Sequence, residues 1–148
     1  MDAQIKNQIK LSFLSVNENV GFARAAAAAF AAQVDLTLTE IDEIKVAVSE
    51  AVSNAVIHGY GLDKQKQNYI EVIMNLYQGK LEFIIIDYGK GIANIEEARQ
   101  PSFSSDPERM GLGFVFMESF MDEIEVKSEL QQGTTVRMAK HFVPITEH

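Results

Sequence analysis

The sequence predicts an α/β fold, a two-layer sandwich in which helices cover one face of a mixed, largely antiparallel sheet. About five segments alternate apolar and polar residues, which is typical of half-buried strands, and three longer segments have helical character. Most of the strands have one polar face, so helices can cover the sheet on one side only. Because the chain has 148 residues, 47% of them hydrophobic, we expect one domain over residues 1–148, with a short frayed tail at about 144–148.

The first part of the chain predicts one strand and two helices. Apolar and polar residues alternate within Ile5–Val16, which predicts a strand. The alanine-rich segment Val20–Val34 favours a helix. The segment Thr37–Glu40 matches a capping box, so we expect the second helix to begin there and to continue to about His58, before a glycine-rich stretch. A second capping-box match, Thr39–Glu43, is a competing start.

The middle of the chain predicts a pair of strands. Residues 70–76 alternate between apolar and polar side chains, and residues 78–80 contain a glycine that favours a turn. Residues 81–86 are more apolar throughout, which predicts a strand in the centre of the sheet.

The last third of the chain predicts a helix and a hairpin. Residues 93–110 are polar and contain two prolines, so we expect a short helix there and then a mobile loop. The next helix is expected to begin at Gly111 and to end at about Met121. Two further alternating segments, residues 124–130 and 134–142, predict the hairpin.

Charge and composition exclude several classes of protein. The formal net charge is −8 and the pI is about 4.8, which excludes nucleic-acid binding through a basic surface and is compatible with a basic partner. There is no cysteine, and therefore no disulfide framework and no thiolate metal site. The N-terminus lacks the pattern of a signal peptide, and the longest apolar run, Ala25–Ala32, is too short to span a bilayer. We therefore expect a cytoplasmic protein.

A row of polar residues interrupts the apolar surface of the long second helix. Glu50, Asn54 and His58 follow one another at intervals of four residues, which places them on one side of the helix. Glu50, Ser53 and Asn54 could face solvent at the helix edge, as Glu and Asn usually do. Alternatively, the amide oxygen of Asn54 could bind Mg²⁺, and Glu50 could accept a proton from an attacking hydroxyl or water. For His58, a capping or packing role is the expected one.

A loop with two glycines follows the most apolar strand. Asp87 stands where that strand ends, and Gly89 and Gly91 allow a ligand to approach the backbone closely. The Asp87 carboxylate could accept a hydrogen bond from an exocyclic amine such as that of adenine. An ordinary Asp/Gly turn is the alternative interpretation. The spacing fits neither a dinucleotide fingerprint nor a Walker A motif.

A second pair of glycines stands where the third helix is expected to begin. Gly111 and Gly113 would leave free backbone N–H groups at the helix N-terminus, which is a phosphate-binding arrangement. Arg109, just before them, could reach a γ-phosphate and stabilise charge during phosphoryl transfer. The alternative is that these glycines only separate the loop from the helix.

Together and in this order, the three features resemble the motifs of the GHKL ATPase superfamily, whose ATP-binding architecture is the Bergerat fold. E-A-V-S-N-A at 50–55 resembles the N box, and D-Y-G-K-G at 87–91 and G-L-G-F at 111–114 resemble the two glycine boxes. Within that superfamily the chain more closely resembles the anti-sigma F factors of sporulation, over about residues 9–140. Further strings carry this resemblance, namely F-A-R-A-A-A-A-A-F, S-E-A-V-S-N-A-V-I-H-G-Y, I-E-E-A-R-Q-P, F-M-D-E and G-T-T-V.

The resemblance implies an activity and its partners. Anti-sigma F factors are dimeric protein-serine kinases that use Mg-ATP, phosphorylate a serine of an anti-anti-sigma protein, and hold a sporulation sigma factor away from RNA polymerase. It also implies a role for each matching position. Glu50 matches the catalytic carboxylate, and Asn54 matches the Mg²⁺ ligand. Asp87 matches the adenine-binding aspartate, with Gly89 and Gly91 around it. The lid end and phosphate loop are matched by Arg109, Gly111 and Gly113, and a partner-binding arginine is matched by Arg24.

Three alternatives to this function stay open. A general-stress anti-sigma B-type kinase would have the same motifs and a different sigma factor. A binding module would use ATP or ADP as a conformational ligand without phosphorylating anything, although such a module needs neither Glu50 nor Arg109. An ATPase domain of a sensor histidine kinase normally follows a helical segment that carries a phosphoacceptor histidine, and nothing before Ile5 supplies one.

Overall fold

Five strands and three α-helices form the part of the chain that the computed structural model describes, which comprises residues 4–59, 68–89, 107–129 and 133–144. In chain order these elements are β1 (Asn7–Leu14), α1 (Glu18–Ala31), α2 (Leu38–Asn54), β2 (Tyr69–Tyr77), β3 (Lys80–Asp87), α3 (Pro107–Phe120), β4 (Glu123–Glu129) and β5 (Gly133–His141).

The strands form one sheet in the order β1-β2-β3-β5-β4, with β3 in the centre as its apolar sequence predicts. All four strand pairs are antiparallel. We expected a mixed sheet, but no two neighbouring strands in the described part of the chain are parallel, because β5 lies between β3 and β4.

Helices cover one face of this sheet, which confirms the predicted two-layer sandwich. On β3, the side chains of Leu81, Phe83, Ile85 and Asp87 are buried on the helical side. Helix α2 lies between α1 and α3 and packs against both. The core joins apolar side chains of the helices, such as Phe30, to the sheet, where the Phe30 ring meets the Phe83 ring edge to face at a centroid distance of 6.4 Å.

The start of α2 follows the first of the two capping boxes. The Glu40 backbone N–H donates to Thr37 Oγ1 at 3.1 Å, and the Thr37 backbone N–H donates to Glu40 Oε1 at 3.0 Å. Two of the N–H groups that lack an intrahelical partner are therefore satisfied within the motif, which stabilises this start over the one at Thr39.

The helix that carries the row of Glu50, Asn54 and His58 changes its geometry directly after Asn54. The α-helical part of α2 ends at this residue, and Ala55–Gly59 form one turn of π-helix rather than the expected continuation to His58. This π-helical turn lies against β3 and β5. Single π-helical turns widen the backbone locally and are frequent at functional sites.

Helix α3 begins at Pro107, so the expected start at Gly111 is wrong by one turn. Asp106-Pro107-Glu108 is itself a helix-start sequence, since proline fits the first helical position and an acidic residue favours the first turn. Helix α1 also differs from its predicted range, ending at Ala31 rather than Val34. The short helix and loop predicted before α3 lie largely outside the described residues.

A polar network crosses the face of the sheet that the helices leave uncovered. Asn75 Nδ2 donates to Glu82 Oε1 at 2.9 Å, and the Tyr77 hydroxyl donates to the same oxygen at 3.2 Å. The Arg137 guanidinium pairs with Glu82 and with Glu123. Burial raises the pKa of Glu82, but the hydrogen bonds from Asn75 and Arg137 outweigh it and hold this pKa below its usual value.

Candidate functional site

Glu50 and Asn54 meet helix α3 at a single glycine. Asn54 is buried, with 8% of its surface exposed, and Glu50 is half-buried one turn earlier on α2. A Cβ atom on Gly113 would lie 3.0 Å from Asn54 Nδ2 and 3.2 Å from Glu50 Oε2. The missing side chain of Gly113 therefore lets both polar groups approach the backbone of α3 closely. The interpretation of this row as an exposed helix edge is wrong for Asn54, because the packing of α3 against α2 buries it.

The side-chain amide of Asn54 is buried and able to bind a polar ligand. Within the described part of the chain, Nδ2 is buried and has no hydrogen-bond partner. Burying such a group without a partner costs about 1–3 kcal/mol, so a group that completes its hydrogen bonding or coordination would be favoured here. Rotation of the amide about its terminal bond exchanges Nδ2 with Oδ1, which can direct the oxygen toward a cation. The buried, unpaired amide thus fits a polar group or an ion bound beside Asn54.

An ion at this position would take most of its ligands from elsewhere. Among the described residues, no group of three or more His, Asp or Glu side chains is placed to hold a metal. Mg²⁺ commonly binds one or two protein oxygens and fills its other positions with phosphate oxygens and water. The donor set therefore fits a metal that arrives with a phosphate ligand.

Asp87 is buried at the end of β3, with 5% of its surface exposed. The Gly89 backbone N–H donates to Asp87 Oδ1 at 3.0 Å, and the Thr134 backbone N–H also donates to this carboxylate. Burial raises the pKa of Asp87, and the two backbone hydrogen bonds oppose this shift without cancelling it. The carboxylate is thus oriented by β5 and by its own loop, and it gains from a ligand that donates a further hydrogen bond.

Gly133 allows β5 to begin directly against Asp87. Its φ angle is +107°, and a Cβ atom there would lie 2.1 Å from the Asp87 carbonyl oxygen and 2.7 Å from Tyr88 Cα. Any side chain would push the two strands apart at the site. Neither Gly133 nor Thr134 was expected to belong to the site. The Gln-Gln-Gly turn indicates a hairpin but not the strand that the hairpin meets, and the G-T-T-V string at 133–136 entered only as part of the family resemblance.

A cavity of about 240 Å³ opens at this end of the sheet. Asp87, Ser128, Gly133 and Thr134 are among its lining residues. The Ser128 hydroxyl is 3.2 Å from the Gly133 carbonyl oxygen and 2.9 Å from Thr134 Oγ1. One wall of the cavity is therefore made of short polar side chains whose positions are fixed by mutual hydrogen bonds.

The π-helical turn of residues 55–59 connects the two halves of the site, because it follows Asn54 directly and lies against β3 and β5. Of the predicted residues, Glu50, Asn54 and Gly113 lie together, and Asp87 and Gly89 form the second group. Gly91 lies outside the described residues. Arg109 and Gly111 belong to the first turns of α3. The side chains of Arg109 and His58 lie outside the part of the chain that the structure describes.

Arg24 lies on the exposed side of α1. Its Nη2 atom is 3.5 Å from the position that a Cβ on Gly21 would occupy, so the guanidinium lies back along its own helix. No helix in the described part of the chain combines the length and the apolar character needed to cross a membrane.

The sequence matches the family described as histidine kinase-like ATPase domain, over residues 13–140. The anti-sigma F factor of Anoxybacillus flavithermus is 49% identical over 140 residues, which cover 93% of this chain and 94% of that protein. The anti-sigma F factor of Clostridium perfringens is 48% identical over 136 residues, which cover 90% of this chain and 96% of that protein.

Solved structures show the same fold at lower identity. The crystal structure of the RsbU and RsbW domains of Rv1364c from Mycobacterium tuberculosis superposes with a TM-score of 0.61 at 21% identity, covering 96% of this chain and 35% of that one. This chain thus corresponds to about a third of that longer polypeptide. The histidine kinase domain of a blue-light activated kinase from Erythrobacter litoralis gives a TM-score of 0.58 at 18% identity, covering 87% of this chain and 61% of that one.

These matches confirm the predicted kinase-type ATPase fold. The similarity to anti-sigma F factors extends over nearly the full length of both chains, so it includes α2, α3 and the end of β3. The chain therefore belongs to the anti-sigma F factors, within the histidine kinase-like ATPase domain family.

Proposed function

We propose that this chain is an ATP-dependent protein-serine kinase that also binds and inhibits a sporulation sigma factor. The observation that carries the proposal is the approach of Gly113 to both Glu50 and Asn54, because it brings a carboxylate and an unpaired amide together beside one glycine. A structural helix contact has no need for either polar group. The name of the relatives, anti-sigma F factor, supports the second half of the proposal.

In this proposal the nucleotide base binds at the end of β3. The Asp87 carboxylate accepts a hydrogen bond from the exocyclic amine of adenine, with Gly89 and Gly91 shaping the pocket around it. Gly133 keeps β5 close enough for the Thr134 N–H to hold the carboxylate in place. ATP and ADP share this base, so both bind there, and the γ-phosphate distinguishes them at the other end of the site.

The phosphates then lie toward α2 and α3, where Asn54 would hold Mg²⁺. Bound there, Mg²⁺ would supply positive charge that offsets the charge of the phosphates. Glu50 accepts the proton of the incoming serine hydroxyl, acting as the general base one turn away from Asn54. Arg109 stabilises negative charge on the transferred phosphoryl group.

The start of α3 at Pro107 changes the role we assign to the glycines. In a helix only the first four N–H groups lack an intrahelical partner, so the N–H groups of Gly111 and Gly113 are not free phosphate donors in this conformation. We propose instead that Gly113 serves by lacking a side chain beside Glu50 and Asn54. Gly111 keeps its assignment to the phosphate loop as a prediction.

The partners follow from the same proposal. The protein substrate is an anti-anti-sigma protein with an acceptor serine, and the inhibited partner is a sigma factor of the sporulation type. Arg24 is exposed on α1 and contributes a guanidinium to the partner-binding surface. We further propose a homodimer that acts in the cytoplasm.

Phosphoserine formation is the direct test. The purified chain is incubated with Mg-ATP and a purified anti-anti-sigma protein, and the product is analysed by mass spectrometry. We expect phosphate on one serine of the partner and none when Mg²⁺ is chelated. If ATP binds and no partner is phosphorylated, the chain is a nucleotide-dependent binding module instead. Pull-downs with sigma factors of the sporulation and general-stress types, each with ATP and with ADP, separate the anti-sigma F from the anti-sigma B assignment.

A further inference from the structure

Lys140 is a buried charge on the side of β5 that the helices cover. It lies opposite Leu81 in the register of β5 with β3, and 9% of its surface is exposed. Its Nζ atom donates to the Phe120 carbonyl oxygen at 2.8 Å and is 3.8 Å from Glu43 Oε1. A lysine is almost never buried to this degree unless its ammonium group is paired. Here one ammonium group contacts both helices of the candidate site, α2 through Glu43 and α3 through Phe120.

The contact with Phe120 caps the C-terminus of α3. Phe120 is the last residue of this helix, and the last four carbonyl groups of a helix lack an intrahelical partner. The last turn of α3 contains no basic residue of its own. Lys140 therefore supplies, from β5, the positive charge that is favourable at the C-terminal end of a helix dipole. Because its donor is charged, this hydrogen bond is stronger than one between neutral groups, and it ties the end of α3 to the sheet.

The same two helices meet at the candidate site, about two turns away from Lys140. On α2, Glu50 follows Glu43 by about two turns. On α3, Gly113 precedes Phe120 by the same interval. The two helices therefore run antiparallel, with Lys140 at one end of their contact and the approach of Gly113 to Glu50 at the other. A shift of α3 along α2 at the Lys140 end would move Gly113 away from Glu50 by a similar distance.

The apolar packing of α3 restricts such a shift only in part. Between the two contacts, the buried residues of α3 are Gly113, Phe114 and Met117. A glycine has no side chain that could interlock with α2, and a methionine side chain adapts its shape to irregular gaps. Of the three, only Phe114 is both bulky and rigid. A hydrogen bond of defined geometry at the end of α3 therefore adds a constraint that this packing lacks.

We propose that Lys140 is a positioning residue for phosphoryl transfer. By holding the end of α3 against α2 and β5, it keeps Gly113 beside Glu50 and Asn54. This inference rests on the proposed kinase activity and adds to it a residue that touches neither the nucleotide nor the acceptor serine. Removing the ammonium group is expected to slow the transfer and to leave binding of the base unchanged, because Asp87 lies at the opposite end of the β3–β5 pair.

Lys140→Met tests the proposal, because methionine keeps an apolar side chain of similar length and lacks the ammonium group. Single-turnover transfer from saturating Mg-ATP to the anti-anti-sigma protein is expected to fall about tenfold, since a displacement of about 1 Å in a catalytic group costs about 100-fold. The affinity for ADP, measured by calorimetry, is expected to change by no more than about threefold. Lys45→Met, at a partly exposed lysine of α2, is the matched control and keeps the wild-type rate. Thr37→Ala destabilises the start of α2 and also keeps this rate, which separates positioning from a loss of stability.

A double-mutant cycle with Gly113→Ala shows whether Lys140 acts through the helix contact. Both changes disturb the same contact, so the double variant is expected to lose less activity than the product of the two single losses. A folded Lys140→Met variant with the wild-type rate, or a double variant that loses the full product, overturns the role of Lys140 and leaves the proposed function intact.

Glu43→Gln keeps the proposal testable if Lys140→Met does not fold, because it removes only the charge that Lys140 meets on α2. A fall in the transfer rate of about threefold supports the positioning role, and an unchanged rate overturns it. If the wild type transfers no phosphate at all, the proposed function itself fails.

Discussion

Replacing Gly113 with alanine is expected to slow phosphoryl transfer while changing the stability of the fold little. Gly113 lies in α3, where alanine is the better helix former by about 1 kcal/mol. The added methyl group would lie 3.0 Å from Asn54 Nδ2 and 3.2 Å from Glu50 Oε2, which is a few tenths of an ångström closer than ordinary contact. Both neighbours are side-chain atoms, so they can shift where backbone could not.

The two effects on stability are opposite in sign and similar in size. The overlap costs on the order of 1 kcal/mol, at the low end for a crowded buried contact, and the helical preference offsets it. We therefore expect the free energy of unfolding to change by no more than about 1 kcal/mol. Phosphoryl transfer is expected to fall about tenfold, because the two side chains must shift by a few tenths of an ångström and a displacement of about 1 Å in a catalytic group costs about 100-fold.

Chemical denaturation measures the first quantity, and single-turnover transfer of phosphate to the anti-anti-sigma protein measures the second. Gly21→Ala in α1 is the matched control, since a Cβ there meets only Arg24 Nη2 at 3.5 Å. This control is expected to stabilise the protein slightly and to leave ATP binding unchanged. Wild-type phosphoryl transfer by a folded Gly113→Ala variant would refute the placement of the catalytic centre at this helix contact.

Three further predictions concern stability. Gly133→Ala is expected to lower the free energy of unfolding by about 3 kcal/mol or more and to weaken ADP binding, because the new Cβ meets the Asp87 backbone at a positive φ; urea unfolding and calorimetry check this. Glu82 has a lowered pKa in the folded protein, so its ionised carboxylate stabilises the fold at pH values above the ordinary carboxyl pKa. This stabilisation is lost as the pH falls through the lowered pKa. In urea titrations from about pH 7 to pH 3, the free energy of unfolding should depend less steeply on pH for Glu82→Gln than for the wild type. An equal slope would contradict the role of the bond between Glu82 and Arg137. Thr37→Ala removes the capping box and is expected to cost about 1 kcal/mol in the same unfolding assay.

Features that depend on neighbours in sequence were predictable. The capping box at Thr37 and Glu40 lies within four residues, and the hydrogen bonds that define it form inside one helical turn. The higher apolar content of residues 81–86 placed β3 in the centre of the sheet, because this strand has little polar surface to expose. The position of Glu50 and Asn54 on one side of α2 was also predictable, because helical spacing alone determines it.

Features that depend on distant segments were not predictable from spacing. Burial of Asn54 requires α3 to pack on α2 through a glycine, and only the fold brings Gly113 to that place. The contact of Gly133 with Asp87 likewise depends on the pairing of β3 with β5, which α3 and β4 separate along the chain. The start of α3 was misjudged because the glycines were taken as a break in the helix, whereas Pro107 begins it one turn earlier.

The central claim is that Glu50 removes the proton of the acceptor serine in a site that binds ATP independently of it. Single-turnover phosphate transfer by Glu50→Gln, measured together with its affinity for ATP, tests this claim most directly. We predict a transfer rate at least about 100-fold below that of the wild type, with ATP affinity changed by no more than about threefold. A variant that binds ATP normally and transfers phosphate at the wild-type rate would contradict the claim.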